Sequence, residues 1–171
     1  AVGVSGGDGG VISARPRDPA LGFVGDVAAV DPTVLQRLID DEFIPVVATI
    51  GVDDHGRSYN INADTVAAEV AVALGAEKLV YLTDIEGLRR DVDDPSSLIR
   101  AATPSELDEL IADGSIAGGM IPKVASCTDA VRRGVGAAHI LDGRIAHVLL
   151  LELFTDTGVG TMITESTEES Q

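Results

Sequence analysis

From residue 32 onward, helical periodicity alternates with short apolar, β-branched runs, and that rhythm leaves few folds open. Ile44 to Ile50 is almost wholly apolar, as expected of a strand covered on both faces in a parallel sheet. Leu79 to Leu82, Ala138 to Leu141 and Gly158 to Ile163 read as further strands. Between them fall helical patterns. Asp31-Pro32 opens one, with Val34, Leu35, Leu38 and Ile39 on a single face. Thr65 to Leu74, rich in Ala and Val, forms another that is largely buried and stopped by Gly75. Thr103-Pro104-Ser105-Glu106 is a capping box starting a helix to about Asp113, Pro122 suits the first position of a helix through Val131, and His147 to Phe154 forms the last.

The pattern predicts an α/β fold, a three-layer αβα sandwich with a mainly parallel sheet. Ahead of it, two apolar stretches broken by Ser5-Gly6-Gly7-Asp8-Gly9-Gly10 read as strands joined by a glycine-rich turn. Residues 1–31 are therefore expected to be a β-hairpin region, 32–163 an α/β lobe, and 164–171 a polar, frayed tail. Beginning inside a hairpin reads as the start of a fragment of something longer.

Composition narrows the function classes. With 45% hydrophobic residues in 171, the chain can bury a real core, filled by aliphatic side chains because only three Phe, two Tyr and no Trp are present. A net charge of −16 and the lack of aromatic platforms argue against nucleic acid. The acidity matches either a salt-adapted proteome or an ordinary acidic protein. Cys127 is the lone cysteine, so no disulfide framework exists and a reducing, cytoplasmic compartment is expected. No apolar run reaches the roughly 18 residues of a membrane span, and no signal-peptide pattern opens the chain. His55, His139 and His147 lack ligand spacing, so no transition-metal site is expected.

Candidate chemistry sits in four places. Gly118-Gly119-Met120-Ile121-Pro122-Lys123 puts a cation in a first helical turn, against the macrodipole, and only two residues of the chain are lysine. A phosphate over the N–H groups would make that favourable; a solvated lysine is the plain alternative. Asn60-Ile61-Asn62-Ala63-Asp64 offers Asn62 as a helix cap and Asp64 to the dipole, while Asn60 and Asn62 lie on one side of an extended segment. Thr83 and Asp84 follow a buried strand, where open α/β sheets bind ligands, although a polar loop start explains them equally. Glu152, inside an apolar run, needs a cation or water, and a guanidinium would suit it unless that face simply turns outward. These parts fit phosphoryl transfer, which relies on positioning and charge neutralisation, and an ionised carboxylate acceptor would need no general base.

Together, Asn60 to Asp64, Leu82-Thr83-Asp84, Gly118 to Lys123 and Leu150-Leu151-Glu152-Leu153-Phe154-Thr155-Asp156 resemble the acetylglutamate kinases of the amino-acid kinase family. The resemblance covers nearly the whole chain apart from the tail. It implies transfer of the ATP γ-phosphate, with Mg²⁺, to the side-chain carboxylate of N-acetyl-L-glutamate in arginine biosynthesis. By that resemblance Asn60, with Asn62 beside it, faces acetylglutamate, Asp64 is the organising carboxylate, and Lys123 neutralises the transferred phosphate. Thr83 and Asp84 lie on the nucleotide side with Gly119 and Met120 close by, and His139, Glu152 and Gly158 match residues that bind L-arginine as feedback inhibitor. Relatives carry a further N-terminal half with another phosphate lysine, and Gly7 stands where many have a lysine. The expectation is a C-terminal, nucleotide-binding part with central hairpins, inactive alone, from an enzyme that forms homo-oligomers when full length. The alternatives are a kinase for a carrier-linked aminoadipate or glutamate, and a non-catalytic arginine-sensing module.

Overall fold

The computed structural model describes residues 1–91, 93–155 and 158–166, and the chain divides into two units, Ala1–Gly75 and Ala76–Gln171. In the first unit, glycines and prolines cut the apolar sequence into short strands: Val2–Ser5 (β1), Ile12–Pro16 (β2), Gly25–Val30 (β3), Pro45–Ala48 (β4), Ile50–Val52 (β5) and Ser58–Asn60 (β6). They form a parallel β1–β4 pair and a four-stranded sheet in the order β3-β2-β5-β6. An antiparallel hairpin does lie within residues 1–31, but it joins β2 to β3; β1 leaves its neighbour in sequence and pairs with β4 across 40 residues. Helices Thr33–Asp40 (α1) and Ala63–Leu74 (α2) complete the unit. Leu35 of α1 and Val66 of α2 enter a core with Val11, Ile12, Tyr59 and Ile61.

A cap explains the start of α2, where Asn62 accepts from the Thr65 N–H at 3.1 Å. For α1 the cap position is Pro32, which has no side-chain bond to give, and the expected cap Asp31 lies one residue outside it, where it accepts from the Thr33 N–H and hydroxyl at 3.0 and 2.6 Å. Gly75 ends α2 in the left-handed conformation, with φ of 60°. One expectation fails here. Ile44 to Ile50 is not a doubly covered strand: β4 alternates in exposure, Ile44 and Val46 are 68% and 58% exposed, and Thr49 separates β4 from β5. A two-stranded pair has one inner face to offer, so an apolar run there buries every second side chain.

In the second unit the strands are Lys78–Thr83 (β7), Ala101–Ala102 (β8), Ala137–Asp142 (β9) and Thr161–Ile163 (β10), in the order β7-β9-β10-β8. All six residues of β9 are buried, as an interior strand requires, and it runs parallel to β7 from Lys78↔Ala137 to Thr83↔Asp142. The β9–β10 pair is antiparallel; parallel pairs still prevail among the described strands. Pro104–Ala112 (α3) begins with the expected capping box, Glu106 N–H to Thr103 Oγ1 at 3.3 Å and Thr103 N–H to Glu106 Oε2 at 2.7 Å.

Helix Met120–Arg132 (α4) starts two residues before the expected Pro122. A missing N–H costs nothing anywhere in a first turn, so the proline marks the turn without fixing its first residue. Helix Val148–Phe154 (α5) follows His147. Residues 167–171 of the expected tail, and Asp156 of the Leu150–Asp156 phrase, lie outside the described residues. No described helix is long and apolar enough to cross a membrane.

Candidate functional site

Strand β7 ends at Thr83, whose hydroxyl accepts from the Ile85 N–H and donates to the Ile85 carbonyl, both at 3.1 Å. That turn directs Asp84 to Leu88 around a cavity of about 300 Å³, whose lining also includes Ile116, Met120 and Arg144. The cavity thus lies beyond the carboxyl end of a parallel strand, where an open α/β sheet binds ligands. Asp84 and Met120, from two different motifs, line it; Thr83 and Gly119 precede them in sequence without lining it.

Arg144, which none of the sequence motifs singles out, also lines this cavity. Asp142, at the end of β9, accepts from Arg144 Nε at 2.8 Å, Nη2 at 2.8 Å and the backbone N–H at 2.9 Å. These bonds hold the Asp142 carboxyl down at about 2 and push the guanidinium up. Asp-Gly-Arg could have signalled this pairing, since an aspartate bends back to N–H groups two residues on.

At the start of α4 the Met120 and Ile121 N–H groups reach the Ala117 and Gly118 carbonyls at 3.4 and 3.3 Å, and Pro122 has none. Lys123 sits in the first turn with Nζ 4.9 Å from the centroid of the buried Tyr81 ring on β7, a cation–π approach that half-buries the lysine. In the first unit, Asn60 and Asn62 are exposed on either side of buried Ile61, and Asp64 is half-buried in the first turn of α2.

A second cavity, of about 330 Å³, gathers His139, Glu152 and Gly158, the three residues that the resemblance matches to an arginine site, together with Lys78, Arg100 and Met162. His139 and Glu152 side chains are 2% and 7% exposed, with Nδ1 2.7 Å from Oε1. His139 Nε2 has no hydrogen-bond partner among the described residues. Burial pushes the imidazole below its ordinary value of 6.5, Glu152 opposes that shift, and Lys78 adds to it. Glu152 Oε2 also accepts from the Val159 N–H at 2.9 Å, and Arg100 Nη1 donates to the Gly158 carbonyl at 2.8 Å. The charged face of Glu152 therefore turns inward. Lys78 was legible by the same rarity that singled out Lys123, because these two are the chain's only lysines. Among the described residues, no group of three or more His, Cys, Asp or Glu could hold a metal ion.

A sequence profile of the Amino acid kinase family matches residues 1–142. The acetylglutamate kinase of Synechococcus sp. (strain RCC307) is 54% identical over 170 residues, covering 99% of this chain and 57% of that protein. The chloroplastic acetylglutamate kinase of Arabidopsis thaliana is also 54% identical, over 96% of this chain and 48% of its own. The chain thus spans about half the length of these curated relatives. Among solved structures, N-acetylglutamate synthase from Neisseria gonorrhoeae complexed with coenzyme A and L-arginine superposes with a TM-score of 0.80 at 30% identity, covering 95% of this chain and 38% of that one.

Proposed function

The chain belongs to the amino acid kinase family, and we propose that it serves an ATP-dependent acetylglutamate kinase by binding the nucleotide in its second unit. The observation that carries this reading is the cavity at the end of β7, because residues from two distant motifs, Asp84 and Met120, line it together. Its apolar wall of Ile85, Leu88, Ile116 and Met120 suits a nucleobase, and Arg144, preset by Asp142, offers a fixed cation at its edge.

In the reaction, an oxygen of the N-acetyl-L-glutamate side-chain carboxylate forms a bond to the γ-phosphorus as the bond from that phosphorus to the ADP oxygen breaks. The nucleophile is already ionised, so no proton must be removed, which suits a candidate site without a catalytic histidine. The work left to the protein is neutralising charge on the transferred phosphoryl group, the role assigned to Lys123. Mg²⁺ arrives with ATP as its counter-ion. On the first unit, Asn60 and Asn62 are assigned to acetylglutamate and Asp64 to organising cationic groups. Thr83 shapes the nucleotide turn and Gly119 leads into Met120.

L-Arginine is proposed as an effector in the second cavity. Glu152 offers a carboxylate for its guanidinium, while Lys78 and Arg100 supply cations for its carboxylate. Supporting this, the Neisseria synthase of similar fold was solved with L-arginine. Assignment to a cytoplasmic pathway and homo-oligomers of the longer enzyme belong to the same proposal.

Calorimetric titration with the non-hydrolysable analogue AMP-PNP and Mg²⁺ tests the nucleotide assignment. Binding is expected, with a loss of about tenfold or more in Lys123→Ala, the cost of one charged hydrogen bond, and unchanged binding of adenosine. No binding of AMP-PNP to the wild-type chain would sink the reading.

A further inference from the structure

Thr161 lines neither of these cavities, yet it touches the walls of both. Its side chain is 0% exposed. The hydroxyl accepts from the Leu88 N–H at 2.8 Å and donates to the Ile99 carbonyl at 2.6 Å, and the Ile99 N–H donates to the Leu88 carbonyl at 2.8 Å. Both roles of a buried hydroxyl are thereby filled by backbone groups far away in sequence. Gly87 and Leu88 line the first cavity. The residues flanking Thr161, Gly160 and Met162, line the second, as does Arg100, the neighbour of Ile99.

Packing at this junction is tight. Gly87 has φ of 149°, and a Cβ there would come within 2.7 Å of Thr161 Oγ1, so the loop backbone rests directly on the hydroxyl. Strand β10 is also pinned on both sides, Met162 opposite His139 on β9 and Ala101 on β8. A shift of β10 therefore has two outcomes at Leu88. Either the loop moves with the hydroxyl, or a buried N–H and a buried hydroxyl lose their partners together, which is costly away from water.

We propose that Thr161 is a positioning residue that sets the Gly87–Leu88 wall of the first cavity and couples its occupancy to that of the second. This rests on the reading of the first cavity as a nucleotide pocket and the second as an arginine pocket. An occupant touching Gly158, Gly160 or Met162 restrains β10, and the hydroxyl passes that restraint to the loop against which the nucleotide lies. Because such coupling is reciprocal, nucleotide changes arginine affinity by the same factor.

The test uses the intact 171-residue chain. AMP-PNP is titrated with and without saturating L-arginine, and the ratio of the two Kd values is compared among wild type, Thr161→Val and Thr161→Ser. The wild-type ratio is expected to differ from one by about fivefold or more, the low end of typical coupling. Thr161→Val keeps the shape, removes the hydroxyl and should bring the ratio to one, while Thr161→Ser should restore it. A Thr161→Val protein that is merely less stable but keeps the wild-type ratio overturns the proposal, as does wild-type chain that binds both ligands independently. Amide hydrogen exchange at Leu88 supplies a readout that needs no variant: arginine should alter its protection in wild type, and unchanged exchange with arginine bound refutes the coupling. If single-ligand titrations show no AMP-PNP or no arginine binding, the functional reading itself fails and this inference falls with it.

Discussion

At the scale of single residues, His139 gives the clearest consequence. Burial holds its folded-state pKa below the ordinary 6.5, so the folded chain resists a proton that the unfolded chain accepts. The sign follows: the contribution to stability is complete above about pH 6.5 and is lost as pH falls from there through the lower folded value. Thermal unfolding followed from pH 8 to pH 5 should show a decline below about pH 6.5 that flattens in His139→Gln; parallel curves for the two proteins would contradict the assignment. Glu152 was legible because a carboxylate inside an apolar helix run demands a partner. Which partner was not legible, since His139 comes 13 positions earlier on a strand, and only folding brings Nδ1 to 2.7 Å from Oε1. Lys123 shows the same division. Its position in a first turn could be read locally, whereas Tyr81 beneath its ammonium group belongs to another element.

Elements were readable wherever their signals are local. The capping box of α3 joins residues three apart, so sequence spacing and observed bonds coincide. Thr103→Ala should therefore lower unfolding free energy by about 1 kcal/mol in urea titration, with m unchanged; a loss below a few tenths would mean that packing of Leu107 and Leu110, both buried, sets this helix start instead. Signals fail where pairing is long-range. The apolar content of Ile44 to Ile50 is local, but whether one face or two is covered depends on which elements fold over it, and among the described strands β4 pairs with β1 alone. Likewise, the glycine-rich turn at Ser5 to Gly10 predicts that its two flanking strands pair, while the sheet takes β2 with β3 and sends β1 to β4. For α4 the error is only one of register: proline, harmless throughout a first turn, sits at its third residue.

For the whole chain, 28 acidic residues against 12 basic leave a net charge of −16, and two electrostatic effects oppose one another when salt is added. Close pairs such as Arg17–Asp26, Arg89–Glu86 and Arg133–Asp129 span 2.6 to 2.9 Å. At 1 M salt the Debye length of about 3 Å is comparable with that separation, so the pairs are partly screened, but little is lost because exposed pairs contribute only about 0 to 1 kcal/mol each. Repulsion among the excess carboxylates acts over about 10 Å at 0.1 M, and that range is removed as salt rises. Screening of repulsion should therefore outweigh the loss of pairs. The expected result is a thermal midpoint that rises steadily from about 0.05 to about 1 M sodium chloride, steepest at the low end where the Debye length changes most. A scanning calorimetry series provides the check. A midpoint that falls with salt would mean that the ion pairs, not the excess charge, dominate the electrostatics of this chain, and would remove salt adaptation as a reading of its acidity.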